Sequence, residues 1–221
     1  MNDTILFDLD GTLLNTLEDI ADGVNHALRK MNFPERSQEE VRQFVGNGVV
    51  MLIKRAVPDG TSEELINTCL QYNKEYYSTH VNEKTRPYDG IMALLKELKA
   101  KGYKVGVVSN KYDSAVKDLC HLYFSDYVTA SVGNRTGVPT KPAPDCVYSA
   151  IQELGSSIDN TVFVGDSDVD VHTAHNAGLP CIGVSWGFRG RDFLEREGAD
   201  IVIDDPSELL AILASENIIR K

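Results

Sequence analysis

The stretch Ile5-Leu6-Phe7-Asp8-Leu9-Asp10-Gly11-Thr12 decides the fold of this 221-residue chain. Three consecutive apolar residues, an acid, a second acid two positions on and a glycine read as a short strand buried on both faces. Its carboxyl end opens into a tight turn. The same pattern returns further along. Val105-Gly106-Val107-Val108 runs into Ser109-Asn110, Thr161-Val162-Phe163-Val164 into Gly165-Asp166, Cys181-Ile182-Gly183-Val184 into Ser185-Trp186, and Ile201-Val202-Ile203 into Asp204-Asp205. Tyr127-Val128 is a weaker strand expectation. Between these runs lie helical patterns: Ile91, Leu94, Leu95 and Leu98 share one face and Gly102 supplies a stop, and Pro206 opens another helix near the C-terminus. Strands alternating with helices imply an α/β class, a Rossmann-like parallel sheet with helices on both faces. Ligands of such sheets bind at the carboxyl ends of the strands, where the polar residues of this sequence collect.

Residues 15–86 break the alternation. Leu17, Ile20, Ala21, Val24, Ala27, Leu28 and Met31 form one helical stripe, further helices are expected near Ser37 to Val45, Val49 to Ala56 and Ser62 to Tyr77, and no strand-like run follows until past Pro87. The expected organisation is a sheet domain of residues 1–14 and 87–221 interrupted by an all-helical domain of residues 15–86, with hinges near Leu14-Asn15-Thr16 and Glu83 to Pro87.

Composition limits the partners. With 22 Lys+Arg against 33 Asp+Glu the formal net charge is −11 and the pI is near 4.9. A field of this sign repels nucleic-acid phosphates and anionic headgroups, so neither nucleic acid nor membrane is an expected partner, whereas a small anion held by local cations is. At 42% hydrophobic and 25% charged the chain is ordinary for a globular protein. Cys69, Cys120, Cys146 and Cys181 are scattered without a CxxC pair and read as buried thiols of a reducing compartment. With no signal-like N-terminus and no membrane-spanning run, the expected location is the cytoplasm, as a monomer or homodimer.

Four polar clusters carry the chemistry: Asp8-Leu9-Asp10-Gly11-Thr12, Ser109-Asn110, Lys141-Pro142-Ala143-Pro144, and Gly165-Asp166-Ser167-Asp168-Val169-Asp170. Carboxylates that meet at strand ends raise one another's pKa unless a cation sits among them. An oxygen-only donor set of this kind points to Mg²⁺, which binds through few protein ligands and leaves positions for water and phosphate oxygens. A single Asp at a strand end is more often a cap or loop residue, but DxDGT fixes four positions. Its chance occurrence in a chain of this length is on the order of one in a thousand. His172 and His175 lack a third ligand and read as surface residues, and Gly46-Asn47-Gly48 fails the dinucleotide fingerprint. The free N–H groups of that segment, at the start of a helix, could meet a substrate anion or simply make a turn.

Taken together, these clusters resemble the four motifs of the haloacid dehalogenase-like (HAD) phosphohydrolases, with the helical insertion similar to that family's cap. Gly46-Asn47-Gly48, Val184-Ser185-Trp186-Gly187 and Gly198-Ala199-Asp200 are similar to the phosphoglycolate phosphatase branch. The resemblance implies a Mg²⁺-dependent phosphatase of a small phosphorylated metabolite, working through an aspartyl-phosphate. Asp8 would be nucleophile, Asp10 general acid and base, and Lys141 the neutralising cation. Asp8, Asp166 and the backbone carbonyl of Asp10 would ligate the metal, with Asp170 supporting it from behind through a water or Lys141. Thr12, Ser109, Asn110, Gly46, Asn47, Gly48 and Arg189 are the expected substrate contacts, Arg189 and Arg191 both being read as exposed. Asn15 stands where relatives often have Asp, and Asp168 reads as a cap or solvated side chain. The alternatives are a beta-phosphoglucomutase-like phosphotransferase, a pyrophosphatase or nucleotidase on the same scaffold, and, more remotely, a phospho-accepting receiver module.

Overall fold

The structure is a computed structural model and describes residues 3–215. In chain order its elements are β1 (Thr4–Phe7), β2 (Leu14–Asn15), α1 (Leu17–Lys30), α2 (Gln38–Phe44), α3 (Gly48–Ala56), α4 (Glu63–Tyr77), β3 (Arg86–Pro87), α5 (Ile91–Ala100), β4 (Lys104–Tyr112), α6 (Asp113–Phe124), β5 (Ala130–Asn134), α7 (Asp145–Glu153), β6 (Thr161–Gly165), α8 (Asp168–Asn176), β7 (Cys181–Val184), α9 (Arg191–Glu197), β8 (Ile201–Ile203) and α10 (Glu208–Ala214). Two compact units emerge: Met1–Leu14 with Pro87–Lys221, and Asn15–Arg86.

The first unit is an α/β domain built on a six-stranded sheet in the order β5-β4-β1-β6-β7-β8, every neighbouring pair parallel. Ile5, Leu6 and Phe7 are at most 1% exposed, as a strand flanked on both sides and covered on both faces requires. Leu6 pairs in register with Phe163, and both join a core with Val108, Val132, Val147, Ala150 and Val171. Truncating Phe163 to Ala in such a core costs about 3–5 kcal/mol. From β1 the chain runs to β4 and β5 on one side, then returns past β1 to β6, β7 and β8 on the other. The crevice of an open parallel sheet lies at that switch, at the carboxyl ends of these three strands.

One strand departs from the sequence expectation. The expected Tyr127-Val128 is a turn, and the strand follows it at Ala130–Asn134. Its residues are small because the start of α6 lies against them: a Cβ at Gly133 would fall within 2.5 Å of Asp113 Cα. Packing, which a hydropathy pattern does not register, selects this edge strand.

The second unit is all-helical apart from its ends. Leu17, Ile20, Ala21, Val24, Ala27 and Leu28 bury the inner face of α1, which packs chiefly on α4. Ser37 and Glu40 form a reciprocal capping box at the start of α2, and Ser62 caps α4. The buried Asp19 carboxylate accepts from the backbone N–H groups of Glu83, Lys84 and Thr85 and from the Thr85 hydroxyl, fastening the returning chain to α1. Tyr76 stacks between His26 and His80, with ring centroids 4.3 and 3.9 Å away.

Candidate active site

β1, β4 and β6 are hydrogen-bonded neighbours, so residues just past their carboxyl ends are held within a few ångströms of one another. Asp8 follows β1, Ser109 and Asn110 lie within β4 towards its carboxyl end, and Asp166 follows β6. Lys141 arrives from the long connection after β5, with its backbone carbonyl bound by the Asn110 side-chain amide at 3.0 Å.

Lys141 is the centre of the arrangement. Its buried ammonium donates to Asp8 Oδ1 at 2.8 Å, Asp170 Oδ1 at 2.7 Å and the Val108 carbonyl at 3.0 Å. These contacts use all the donors an ammonium has. Burial alone would lower the lysine's pKa, but the Asp170 and Asp8 charges override it and hold the group firmly protonated.

The carboxylates are less content. Burial first, then the Asp170 charge, pushes the Asp8 carboxyl up to about 7, with Lys141 pulling the other way. Burial, Asp170 and Asp8 likewise push Asp166 well above the usual carboxylate range, against donors from Phe188 N–H and Thr12. Oxygens of Asp8, Asp166 and Asp170 come within 4.8 Å of one another. With Asp10 added and all four carboxyls ionised, they outnumber the two lysines Lys141 and Lys111 by two charges. Buried excess charge of that size calls for a divalent cation, and a hard all-oxygen donor set fits one of the Mg²⁺ kind.

Asp170 is committed on both oxygens. While Oδ1 meets Lys141, Oδ2 accepts from Ser167 Oγ at 2.6 Å and from the backbone N–H groups of Ser167 and Asp166 at 3.1 and 3.2 Å. This is the capping box of α8, drawn into the site and used to aim a lysine. Asp168 is the first residue of that helix, and its partly exposed side chain lies 3.9 Å from Arg189. Of the two acids, Asp170 therefore faces the cluster.

Asp166 ties three loops together. Thr12 Oγ1 donates to its Oδ1 at 3.1 Å and Phe188 N–H to its Oδ2 at 2.7 Å, while Trp186 Nε1 donates to the Thr12 carbonyl. Gly11, at φ +90°, leaves room for this: a Cβ there would collide with the Asp166 carboxylate. The fully buried Thr12 thus stands behind Asp166, whereas the sequence reading placed it on the substrate.

The remaining expected residues fall as follows. Asp10 pairs its carboxylate with Lys111 Nζ, 2.8 Å distant. Ser109 and Asn110 are buried beside Lys141, and the Ser109 hydroxyl accepts from the Lys111 N–H at 3.3 Å. Gly46-Asn47-Gly48 lies in the helical unit at the start of α3, where Arg55 holds the Asn47 side-chain oxygen at 2.8 Å. Arg189 and Arg191 are half-buried, not exposed as expected. Asp168 draws in the first, and Asp204 and Glu195 the second. Lys111 was not foreseen. Its one signal was a cation two residues beyond Ser109, which on a strand puts it on the same side as that hydroxyl.

Residues 5–184 match the family described as haloacid dehalogenase-like hydrolase. The chain belongs to the haloacid dehalogenase-like hydrolases. Among its relatives in this family, a phosphoglycolate phosphatase of Haemophilus influenzae (strain 86-028NP) is 34% identical over 215 residues, covering 94% of this chain and 96% of its own. Pyrophosphatase PpaX of Bacillus cereus (strain AH820) is also 34% identical over 215 residues, covering 97% of each. The crystal structure of a Lactobacillus delbrueckii subsp. bulgaricus protein assigned as a phosphoglycolate phosphatase superposes with a TM-score of 0.91 at 32% identity, covering 96% of this chain and 99% of that one. This haloacid dehalogenase-like chain is accordingly an enzyme, a hydrolase of phosphatase type.

Proposed function

We propose that the chain is a Mg²⁺-dependent phosphomonoesterase of a small phosphorylated metabolite, with phosphoglycolate the nominal substrate and Asp8 the nucleophile. The observation that carries this reading is the buried ammonium of Lys141 shared between Asp8 and Asp170, beside an Asp166 held by two other loops. In the first step an Asp8 oxygen forms a bond to phosphorus as the bond to the leaving oxygen breaks, and the Asp10 carboxyl gives that oxygen its proton. In the second, water attacks the aspartyl-phosphate while Asp10 takes a proton from it, releasing inorganic phosphate and restoring Asp8. Lys141 neutralises charge on the nucleophile and the phosphoryl group, and the Ser109 hydroxyl and Asn110 N–H bind phosphoryl oxygens. Asp8, Asp166 and the Asp10 carbonyl would hold the metal, with Asp170 acting through Lys141. The ion supplies the positive charge that lets a phosphate dianion approach a cluster of acids. Residues 15–86 serve as the cap of the family pattern, with Gly46, Asn47 and Gly48 there, and Arg189 in the sheet unit, as substrate contacts.

A second reading, hydrolysis of pyrophosphate, is favoured by the equal identity to pyrophosphatase PpaX. Phosphate release from phosphoglycolate, pyrophosphate, sugar phosphates and nucleotides, each with and without EDTA, separates the two. The expected result is metal-dependent release that Asp8→Asn lowers by about a thousandfold or more. Appreciable metal-dependent turnover by that variant would sink the mechanism.

A further inference from the structure

Asp8 and Asp166 stand on different loops, and the strand ladder stops short of fixing the distance between their side chains. The pairing of β1 with β6 ends at Phe7 and Val164, and the Asp8 N–H closes it on the Val164 carbonyl at 2.9 Å. Beyond that point the two loops are joined by the Thr12 hydroxyl on Asp166 Oδ1 and by a third loop, residues 185–188, which follows β7. In the sheet β6 lies between β1 and β7, so a residue after β7 must reach across the end of β6 to touch the loop after β1. Trp186 does so: its indole N–H donates to the Thr12 carbonyl at 3.0 Å. Two residues on, the Phe188 N–H donates to Asp166 Oδ2 at 2.7 Å. Between them Gly187 lies so close to both loops that a Cβ there would collide with the Asp166 Cβ and the Gly11 carbonyl. Residues 186–188 therefore form a brace, with one end on each acid-bearing loop and a bare backbone packed between them.

What such a brace controls is spacing. Mg²⁺ demands near-ideal octahedral geometry with oxygens at about 2.0–2.1 Å, whereas Ca²⁺ accepts about six to eight oxygens at about 2.3–2.6 Å in flexible arrangements. Asp8 and Asp166 repel one another, so loops free to drift apart would lose the smaller ion first. An indole suits the restraint, because its donor sits on a rigid two-ring frame with only two torsions. The geometry points to Trp186 as a positioning residue that, with Gly187 and Phe188, holds the Asp8 and Asp166 loops at the separation a small ion needs and so favours Mg²⁺ over Ca²⁺. This inference rests on the metal ligands proposed above and adds the residue that sets their separation.

The test titrates the metal-free full chain with Mg²⁺ and with Ca²⁺, reading by differential scanning fluorimetry the ion concentration that gives half the maximal rise in Tm. Trp186→Phe removes the N–H donor and should raise the Mg²⁺ midpoint by about tenfold, the scale on which partners of metal ligands act. The Ca²⁺ midpoint should move less than about threefold, so the preference for Mg²⁺ falls. Trp186→Leu gives a second reading should the Phe variant fold poorly, and Gly187→Ala, which pushes the two loops apart, should change the preference in the same direction. A merely structural tryptophan would lower the Tm of the EDTA-treated protein and leave the ratio of the two midpoints unchanged. That result overturns the assignment of Trp186 while leaving the phosphatase reading standing. A wild type whose Tm responds to neither ion overturns the metal ligation proposed above, and the inference with it.

Discussion

Each unit of this chain buries acid, and the two do so in opposite ways. In the helical unit, Asp19 is 1% exposed and is met by backbone N–H groups of three consecutive residues and the Thr85 hydroxyl. In the sheet unit, Asp8, Asp166 and Asp170 crowd one another, and burial with mutual repulsion lifts Asp8 and Asp166 above the usual carboxylate range. A buried acid surrounded by donors is structural, because its cost has been met within the fold. A group of buried acids with more charge than the fold answers is waiting for something the chain does not encode, which here means a cation and a substrate.

The sharpest way to break this contrast is to remove the cation that Asp8 and Asp170 share. Lys141→Met should cost at least about a thousandfold in kcat/KM for phosphate release, because both Asp8 and Asp170 lose their counter-charge. Steady-state kinetics at saturating Mg²⁺ would check it, and a loss below tenfold would contradict the central role of this lysine. Asp19→Ala should act on stability instead, lowering the free energy of unfolding by about 2–4 kcal/mol, since several buried donors lose their acceptor together. Urea unfolding read by circular dichroism would detect this, and an unchanged midpoint would mean that the returning chain is held by other contacts.

Metal removal and pH sharpen the contrast further. Asp8 has a folded pKa raised from 3.8 to about 7, so in metal-free protein its protonated form contributes stability fully present below about 4 and lost as pH rises through about 7. A divalent ion binds the ionised carboxylates. The rise in Tm given by Mg²⁺ over EDTA should therefore grow between about pH 5 and about pH 8. Differential scanning fluorimetry across that range tests the sign, and a Mg²⁺ effect that is flat or falls with pH would contradict it. The smallest effect belongs to Asp168, whose partly exposed pairing with Arg189 spans 3.9 Å. Asp168→Asn should change stability by no more than about 0.5 kcal/mol and leave metal-dependent turnover within a few fold, whereas Asp170→Asn should not.

Much of this was legible in the sequence because the deciding elements are locally encoded. Buried parallel strands are apolar runs, and acids at their ends stand out against them, so β1, β4, β6, β7 and β8 and the strand-end acids Asp8 and Asp166 could be read directly, whereas Asp170, inside α8, was preferred to Asp168 only by the family resemblance. What escaped was set by contacts remote in sequence. β5 is an edge strand of small residues chosen by the nearness of α6. Thr12 and Asp166 meet across 154 positions, so a hydroxyl that looked like a substrate contact became a support. Asp10 and Lys111 meet across 101, and nothing local marks their pairing. Arg189 and Arg191 likewise pair with Asp168 and Asp204, each from another element.

The helical unit leaves and re-enters the sheet unit at adjacent points: the Tyr88 N–H donates to the Leu13 carbonyl at 3.1 Å, and the flanking two-residue strands β2 and β3 pair with each other. To the sheet, the intervening residues are a closed detour. Their length and sequence can therefore be exchanged without shifting any strand by a single residue. Grafting the corresponding segment of a relative between Leu14 and Pro87 then becomes a way to exchange the helical unit while the residues of the sheet stay in register.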